Sequence, residues 1–438
     1  MNPDPSPGGC DTLDRWIARE AVALPPDSPQ QFDAAVDRMV TALGDSVELI
    51  GFGEALHGGE EILAFRNRLF QRLTAAHGYT AIAVESSYPR SRFANDFVSN
   101  RAAMSASYDE VQEAGFSHGF GRLAANRELL EWMRRGNAER RDGAELRFYG
   151  FDTPTEMTHT GSPRQLLGFV LDYLAAIDHA AADDRRQRVE PLLGQDSAWE
   201  NPAAIMESSQ SIGLSASAAA LRVGTEDLIA ELQRRRPELA AASDADRYQQ
   251  AMHDAALLRW LLAYHAALAR PLTTQQRLVE SLGLRDAMMA ENLAHIVARE
   301  RGRGKVLAFA HNAHLQRGRA QWQFGPELLV WWPAGAHLEH MLGSSYAVIG
   351  SALGVSEPNG IAQPEPGTLE ARLTAAPGPV RFVPTRGLAT AAIESLPKRS
   401  GSTKNGSYFP LDAQSLTDFN ALVAFDSVSY TRGAPALP

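Results

Sequence analysis

Short apolar runs alternate with helical patterns along this chain. Val47–Phe52 (VELIGF), Thr80–Val84 (TAIAV), Leu146–Phe151 (LRFYGF) and Lys305–Ala310 (KVLAFA) are rich in β-branched, aromatic or aliphatic residues. Each is too short for a typical helix, which predicts buried strands. Over Glu60–Ala75, Ile62, Phe65, Leu69, Phe70 and Leu73 recur at helical spacing, and Leu123–Arg135 and Arg164–Ile177 read similarly. Strands alternating with helices predict an α/β fold with a mostly parallel central sheet flanked by helices. From Asp183 to Leu284 the strand pattern disappears in favour of Ala, Arg, Glu, Gln and Leu, which predicts a large helical insertion capping the C-terminal strand ends. Tyr346–Gly350 (YAVIG) and Ala421–Phe425 (ALVAF) resume the sheet; between them, Ser356 to Ser407 is rich in Gly, Pro and Ser and reads as irregular or long-looped. The expected organisation is a leader and helix over 1–45, the first part of the core over 46–182, the insertion over 183–284 and the rest of the core over 285–438.

Composition narrows the class. In 438 residues, 44% hydrophobic and 21% charged content are those of a folded globular chain. The formal net charge of −10 argues against a phosphate-binding surface, so no nucleic-acid partner is expected. The single cysteine, Cys10, allows neither an intrachain disulfide nor a thiolate metal cluster. The N-terminus lacks a basic segment followed by an apolar one, and no apolar run reaches the roughly 18–20 residues of a bilayer span. A cytoplasmic protein without a membrane partner is expected; oligomeric state is not legible.

The chemistry lies just beyond the carboxyl end of each strand. VELIGF runs into Gly53-Glu54-Ala55-Leu56-His57-Gly58-Gly59, TAIAV into Glu85-Ser86-Ser87, LRFYGF into Asp152-Thr153-Pro154, and KVLAFA into His311-Asn312-Ala313-His314. Open α/β sheets bind ligands at these strand ends. Parallel neighbours would therefore bring Glu54, His57, Glu85, Asp152, His311 and His314 to one cleft, where neighbouring charges can tune each imidazole. Taken singly, each has a plainer account: Asp152 as a helix cap, each His as a satisfied structural group. Four strand ends bearing the same chemistry favour a shared site. Arg66 borders the apolar face of its helix, placed either to reach Glu54 or Glu85 or to snorkel at the surface.

Other motifs compete. Gly51-Phe52-Gly53 resembles the start of a dinucleotide fingerprint, but Leu56 stands where its third glycine should be, so no cofactor is expected. Gly58 and Gly59 lead into a helix whose backbone N–H groups could receive an anion. Gly115-Phe116-Ser117-His118-Gly119 fits G-x-S-x-G, yet polar residues precede it where a nucleophile elbow needs a buried strand. Ser117 therefore reads as a loop residue, with His118 either solvated or reaching the cleft. Three histidines and several carboxylates could also supply a zinc site, with His57, Glu85 and His311 as first ligands, although no H-E-x-x-H occurs.

The run GFGEALHGGEEILAFRNRL, the VES after the second strand, YGFD after the third, RDAMMAENL (Arg285 to Leu293) and AHNAHLQRGR together resemble the erythromycin esterase family, from about Val47 to the C-terminal ALVAFDSVSYTR. The resemblance implies metal-independent hydrolysis of a macrolide lactone in the resistance members. It implies His57 as the base that activates water, Glu54 beside it, Arg66 and Glu85 as supporting groups, His311 and His314 across the cleft, and Arg285 as a further site residue. From their placement, Asp152 and His118 are expected to join His314 and Arg285 in binding substrate. The family is functionally mixed, and related TIKI proteases use a similar G-x-x-H strand end with metal. The expected partner is a small-molecule ester or lactone. A biosynthetic tailoring enzyme (dehydratase, cyclase or isomerase) and a metal-dependent hydrolase would use the same residues. A ligand-sequestering protein is disfavoured by the cost of burying so many ionisable groups.

Overall fold

The computed structural model describes residues 12–100, 107–140, 144–155, 159–388 and 396–434; Cys10 and most of its leader lie outside them. The strands are β1 Val22–Ala23, β2 Leu49–Glu54, β3 Tyr79–Ser87, β4 Arg147–Asp152, β5 Lys305–His311, β6 Ala320–Phe324, β7 Glu327–Trp331, β8 Tyr346–Val355, β9 Val380–Pro384 and β10 Ala421–Ser427. Eight form one sheet in the order β1-β9-β10-β8-β2-β5-β3-β4, and β6 pairs with β7 in a separate hairpin. From β10 across to β4 every pairing is parallel. β9 runs antiparallel to both β10 and β1. The mostly parallel α/β sheet flanked by helices is therefore the architecture of this chain.

Strand side chains alternate between two cores. Ile50, Phe52, Ile82, Val84, Leu307 and Phe309 point to the face covered by Phe32, Val36, Leu69 and Phe70 of helices Pro29–Leu43 and Glu60–Ala76. Leu49, Ala81, Ala83, Val306, Ala308 and Ala310 point to the other, against Met288, Met289 and Leu293 of helix Thr274–Glu300. Because both faces are covered, these strands read as continuous apolar runs. Alanines on the second face let the long helix approach closely. The insertion joins this same core: Leu221, Leu228, Leu258 and Leu261 belong to it, on helices Ala216–Arg234 and Ala245–Leu268. Helix Ala245–Leu268 packs on helices Arg164–Ala175 and Thr274–Glu300, on that same side of the sheet.

The glycines of Gly51-Phe52-Gly53 serve close packing. A Cβ on Gly53 would fall 2.3 Å from Asn312 Oδ1, an atom that accepts a hydrogen bond from Ser351 N. That crossing of β2, β5 and β8 leaves room only for hydrogen.

Two parts of the sequence expectation need correcting. Ser356 to Ser407 is not uniformly irregular: it contains helix Leu369–Thr374 and the buried strand β9, while residues 389–395 lie outside the described residues. β9 is five residues long and ends on a proline, so its periodicity is too brief to read. The β6–β7 hairpin was not anticipated either, because half of its residues face solvent.

Candidate active site

β2 ends on Glu54 and β5 on His311, and the two are register partners across the parallel pair. β4 ends on Asp152, opposite Ser87, with Glu85 two residues earlier in β3. The topology thus sets the carboxylates and His311 at the same end of adjacent strands. His57 and His314 follow in the connections leaving β2 and β5.

His57 curls back so that Nδ1 lies 2.7 Å from Glu54 Oε1. The Glu54 side chain is 5% exposed and that of His57 32%, which makes the imidazole the open end of the pair. Glu54 Oε2 is buried with no hydrogen-bond partner among the described residues. Burial pushes the Glu54 carboxyl upward against the pull of His57. Burial also pushes the His57 imidazole downward, but the Glu85 charge and the Glu54 hydrogen bond outweigh it and set its pKa above the ordinary 6.5. Among the described residues nothing hydrogen-bonds to His57 Nε2. The ring is flanked by His311 and Phe120, with centroids at 5.3 and 5.4 Å.

Arg285 anchors a second group. Its Nε donates to Asp152 Oδ1 at 2.9 Å, and its Nη2 to Asp152 Oδ2 at 2.6 Å and Glu85 Oε1 at 2.9 Å. His118 Nε2 donates to Asp152 Oδ2 at 3.0 Å from a backbone with φ of 59°, a left-handed conformation uncommon outside glycine. Despite burial, the Arg285 and His118 contacts hold Asp152 well below the usual carboxylate range. Glu85 Oε2 accepts the His311 backbone N–H at 2.8 Å, and its Oε1 lies 3.3 Å from His314 Nε2. His314 Nδ1 meets Asp286 Oδ1 at 2.8 Å. Burial opposes protonation of His314, but Asp286 and Glu85 together raise its pKa to about 10. At neutral pH it is an imidazolium.

His311 is the opposite case. Its Nε2–H donates to Ser407 O at 2.8 Å and its Nδ1 accepts the Ala313 N–H at 3.1 Å, capping the short helix Asn312–Leu315. Burial, then the His57 charge, lower its pKa to about 3, so it is a neutral ring with both nitrogens committed.

The structure therefore brings Glu54, His57, Glu85, Asp152, His118, Arg285, His311 and His314 into one connected cluster. Among the described residues Arg66 forms no ion pair with Glu54 or Glu85, although its charge favours the ionised form of Glu54. Its Nε and Nη2 both donate to Asn67 Oδ1, at 3.1 and 2.7 Å, and its guanidinium lies 4.7 Å from the centre of the Phe309 ring. Of the two guanidinium groups, it is that of Arg285 that pairs with Glu85, beside His314. Ser117 Oγ accepts the Ser87 N–H at 2.9 Å while Ser86 Oγ accepts the Ser117 N–H at 2.8 Å, a reciprocal structural lock. The helix start after Gly58 and Gly59 is covered: Glu60 N donates to Ser429 O and Thr431 N to Gly58 O.

Asp286, Phe120, Asn405, Ser407 and Phe409 escaped the sequence reading. Only Asp286 carried a local signal, as the neighbour of Arg285 on one helix. The others come from loops whose approach depends on the whole fold. As to metal, among the described residues no three His, Cys, Asp or Glu side chains converge as a ligand set. Of the candidate ligands His57, Glu85 and His311, the last two are already committed through their donor atoms.

Three solved structures share this fold. A protein from Bacillus cereus superposes with a TM-score of 0.74 at 16% identity, covering 98% of this chain and 100% of its own. A succinoglycan biosynthesis protein gives 0.70 at 16% identity over 96% and 98%. An erythromycin esterase with a histidine-to-asparagine substitution, in its open conformation, gives 0.65 at 18% identity over 93% and 98%. No curated protein matches the sequence significantly. The sequence itself matches the erythromycin esterase family over residues 74–428. Spanning most of the chain and both halves of the sheet, that match establishes that this protein belongs to the erythromycin esterase family.

Proposed function

We propose that this protein hydrolyses an ester or lactone by metal-independent attack of water, with His57 as the general base. Membership of the erythromycin esterase family supports a hydrolase of that family. The observation that carries the mechanism is the His57–Glu54 pair: Nδ1 is held at 2.7 Å by a buried carboxylate, and the partly exposed ring keeps Nε2 available. Glu54 fixes the Nδ1–H tautomer, so the Nε2 lone pair accepts the proton of a water whose oxygen adds to the carbonyl carbon. The tetrahedral intermediate then breaks its carbon–oxygen bond to the leaving alcohol, which recovers the proton from His57. A carboxylic acid and an alcohol result.

The cationic side of the cleft is Arg285, 16% exposed, with the His314 imidazolium behind it. In that charge state Arg285 Nη1, 3.4 Å from His314 Nε2, has no acceptor in the cluster and serves the developing oxyanion. His311 does not, because its Nε2–H is turned to Ser407, and Arg66 has Nε and Nη2 turned to Asn67. His311 instead forms the wall beside His57.

The substrate is a sizeable, largely apolar small molecule. Half-buried Leu278, Leu282, Trp322, Phe324 and Phe409 cluster together, and Phe409 meets the His311 ring at 4.7 Å. Leu278 and Leu282 precede Arg285 by seven and three residues on one helix, so this apolar strip leads to the guanidinium. Macrolide lactones fit this description and the family. Incubation with a panel of macrolides and aryl esters, followed by mass spectrometry, tests the proposal: a gain of one water is expected. Loss of water, or unchanged mass with altered retention, would replace hydrolysis by a dehydratase or isomerase reaction.

A further inference from the structure

The loop from Ser402 to Phe409 touches His57 and His311 at once. The Asn405 carboxamide is buried and uses its full hydrogen-bonding capacity. Its Nδ2 donates to His57 O at 2.9 Å and to Asn359 Oδ1 at 2.8 Å. Its Oδ1 accepts the Ser407 N–H at 3.0 Å and the Ser407 Oγ–H at 2.6 Å. Since the His57 carbonyl can only accept, the orientation of the amide is fixed. The Ser407 hydroxyl spends its proton on Asn405, so its lone pairs face the His57 N–H, which it accepts at 2.9 Å. Both backbone polar groups of His57 are therefore bound to one loop some 350 residues away in sequence. The Ser407 carbonyl, in turn, fixes the Nε2–H tautomer of His311.

The loop is itself anchored. Asn359, wholly buried, donates from Nδ2 to Ser356 Oγ at 2.8 Å, and Ser356 follows directly on β8. Phe409 N donates to Ala55 O at 3.3 Å, tying the loop to the connection between Glu54 and His57. The path from the sheet through Asn359 and Asn405 to His57 has a partner at every step.

We propose that Asn405 and Ser407 are positioning residues that hold His57 in register with Glu54. The functional consequence rests on the hydrolytic reading above; the effect on the imidazole does not. Without the clamp, His57 keeps no backbone hydrogen bond of its own among the described residues, and between the anchored neighbours Ala55 and Gly58 its side chain relies on the imidazole's bond to Glu54. That bond lengthens, and its upward pull on the His57 pKa weakens.

The test uses the full chain with Asn405→Ala, Ser407→Ala and Ser407→Thr. The His57 imidazole is followed by 15N NMR pH titration, its signal assigned by its loss in His57→Asn. In Asn405→Ala and Ser407→Ala the His57 pKa should fall toward the ordinary 6.5, and Ser407→Thr, which keeps the hydroxyl, should restore it. With an ester the parent enzyme turns over, kcat should fall by up to on the order of 10²-fold with KM little changed, the signature of a misplaced reacting group. A merely structural role would lower thermal stability without moving the His57 titration. Should Asn405→Ala not fold, the Ser407 pair carries the comparison. Parental titration and kcat in folded Asn405→Ala or Ser407→Ala would overturn the proposal. If His57→Asn remained active, the hydrolytic reading would fall alone, since the NMR titration judges the clamp separately.

Discussion

Arg285 and Asp152 meet in a two-point ion pair, Nε to Oδ1 at 2.9 Å and Nη2 to Oδ2 at 2.6 Å, at the end of the parallel sheet. The same guanidinium is also bonded to Glu85, beside His314, so it compensates two buried carboxylates. Arg285→Met removes that charge and leaves both without their shared fork. Breaking a buried pair from one side costs roughly 3–5 kcal/mol. Urea denaturation should show a loss of that order, and Arg285→Met combined with Asp152→Asn should lose less than the sum of the two single changes. Strict additivity would mean that the pair contributes no coupling.

Glu85 acts on His57 at a distance. After burial, which lowers the His57 pKa, the Glu85 charge is the largest influence raising it. A general base works deprotonated, so kcat/KM should rise with pH through a midpoint above 6.5. Glu85→Gln removes one source of the upward shift, and the midpoint should move down. A pH–rate profile of the two enzymes decides this; an unmoved or higher midpoint would remove Glu85 from the electrostatics of the base.

Ser117 separates two classes of esterase. Its hydroxyl is occupied by the Ser87 N–H and by Ser86. Ser117→Ala should cost about 1–3 kcal/mol in stability, through the donor left unsatisfied, and leave kcat within a few-fold of the parent. Collapse of turnover to background in the folded variant would make Ser117 the nucleophile.

The sheet was legible because its strands are buried on both faces, and continuous apolar runs such as TAIAV and KVLAFA record that burial directly. The acidic and imidazole groups at their ends were legible for the same reason: a polar residue interrupting such a run stands out. Partnership was not legible. Arg66 and Arg285 both border apolar helical faces, and only the packing of helix Thr274–Glu300 on β3, β4 and β5 decides which guanidinium reaches Glu85. Asn405 and Ser407 sit in a stretch without periodicity, where sequence records little about tertiary approach.

Metal independence has its own measurement. Purified protein should contain well under one equivalent of zinc, iron or manganese per chain, and chelation should leave turnover unchanged. About one tightly bound metal per chain, with activity lost on its removal and restored on its return, would require a metallohydrolase mechanism instead.

The central claim is that His57 activates the attacking water, and its most direct test is turnover by His57→Asn. The substitution keeps a polar side chain in the turn and removes the base. Circular dichroism and the thermal transition should match the parent, while the water-addition product seen by mass spectrometry should form roughly 10²–10⁴-fold more slowly. Turnover near the parental rate in the folded His57→Asn protein would contradict the account.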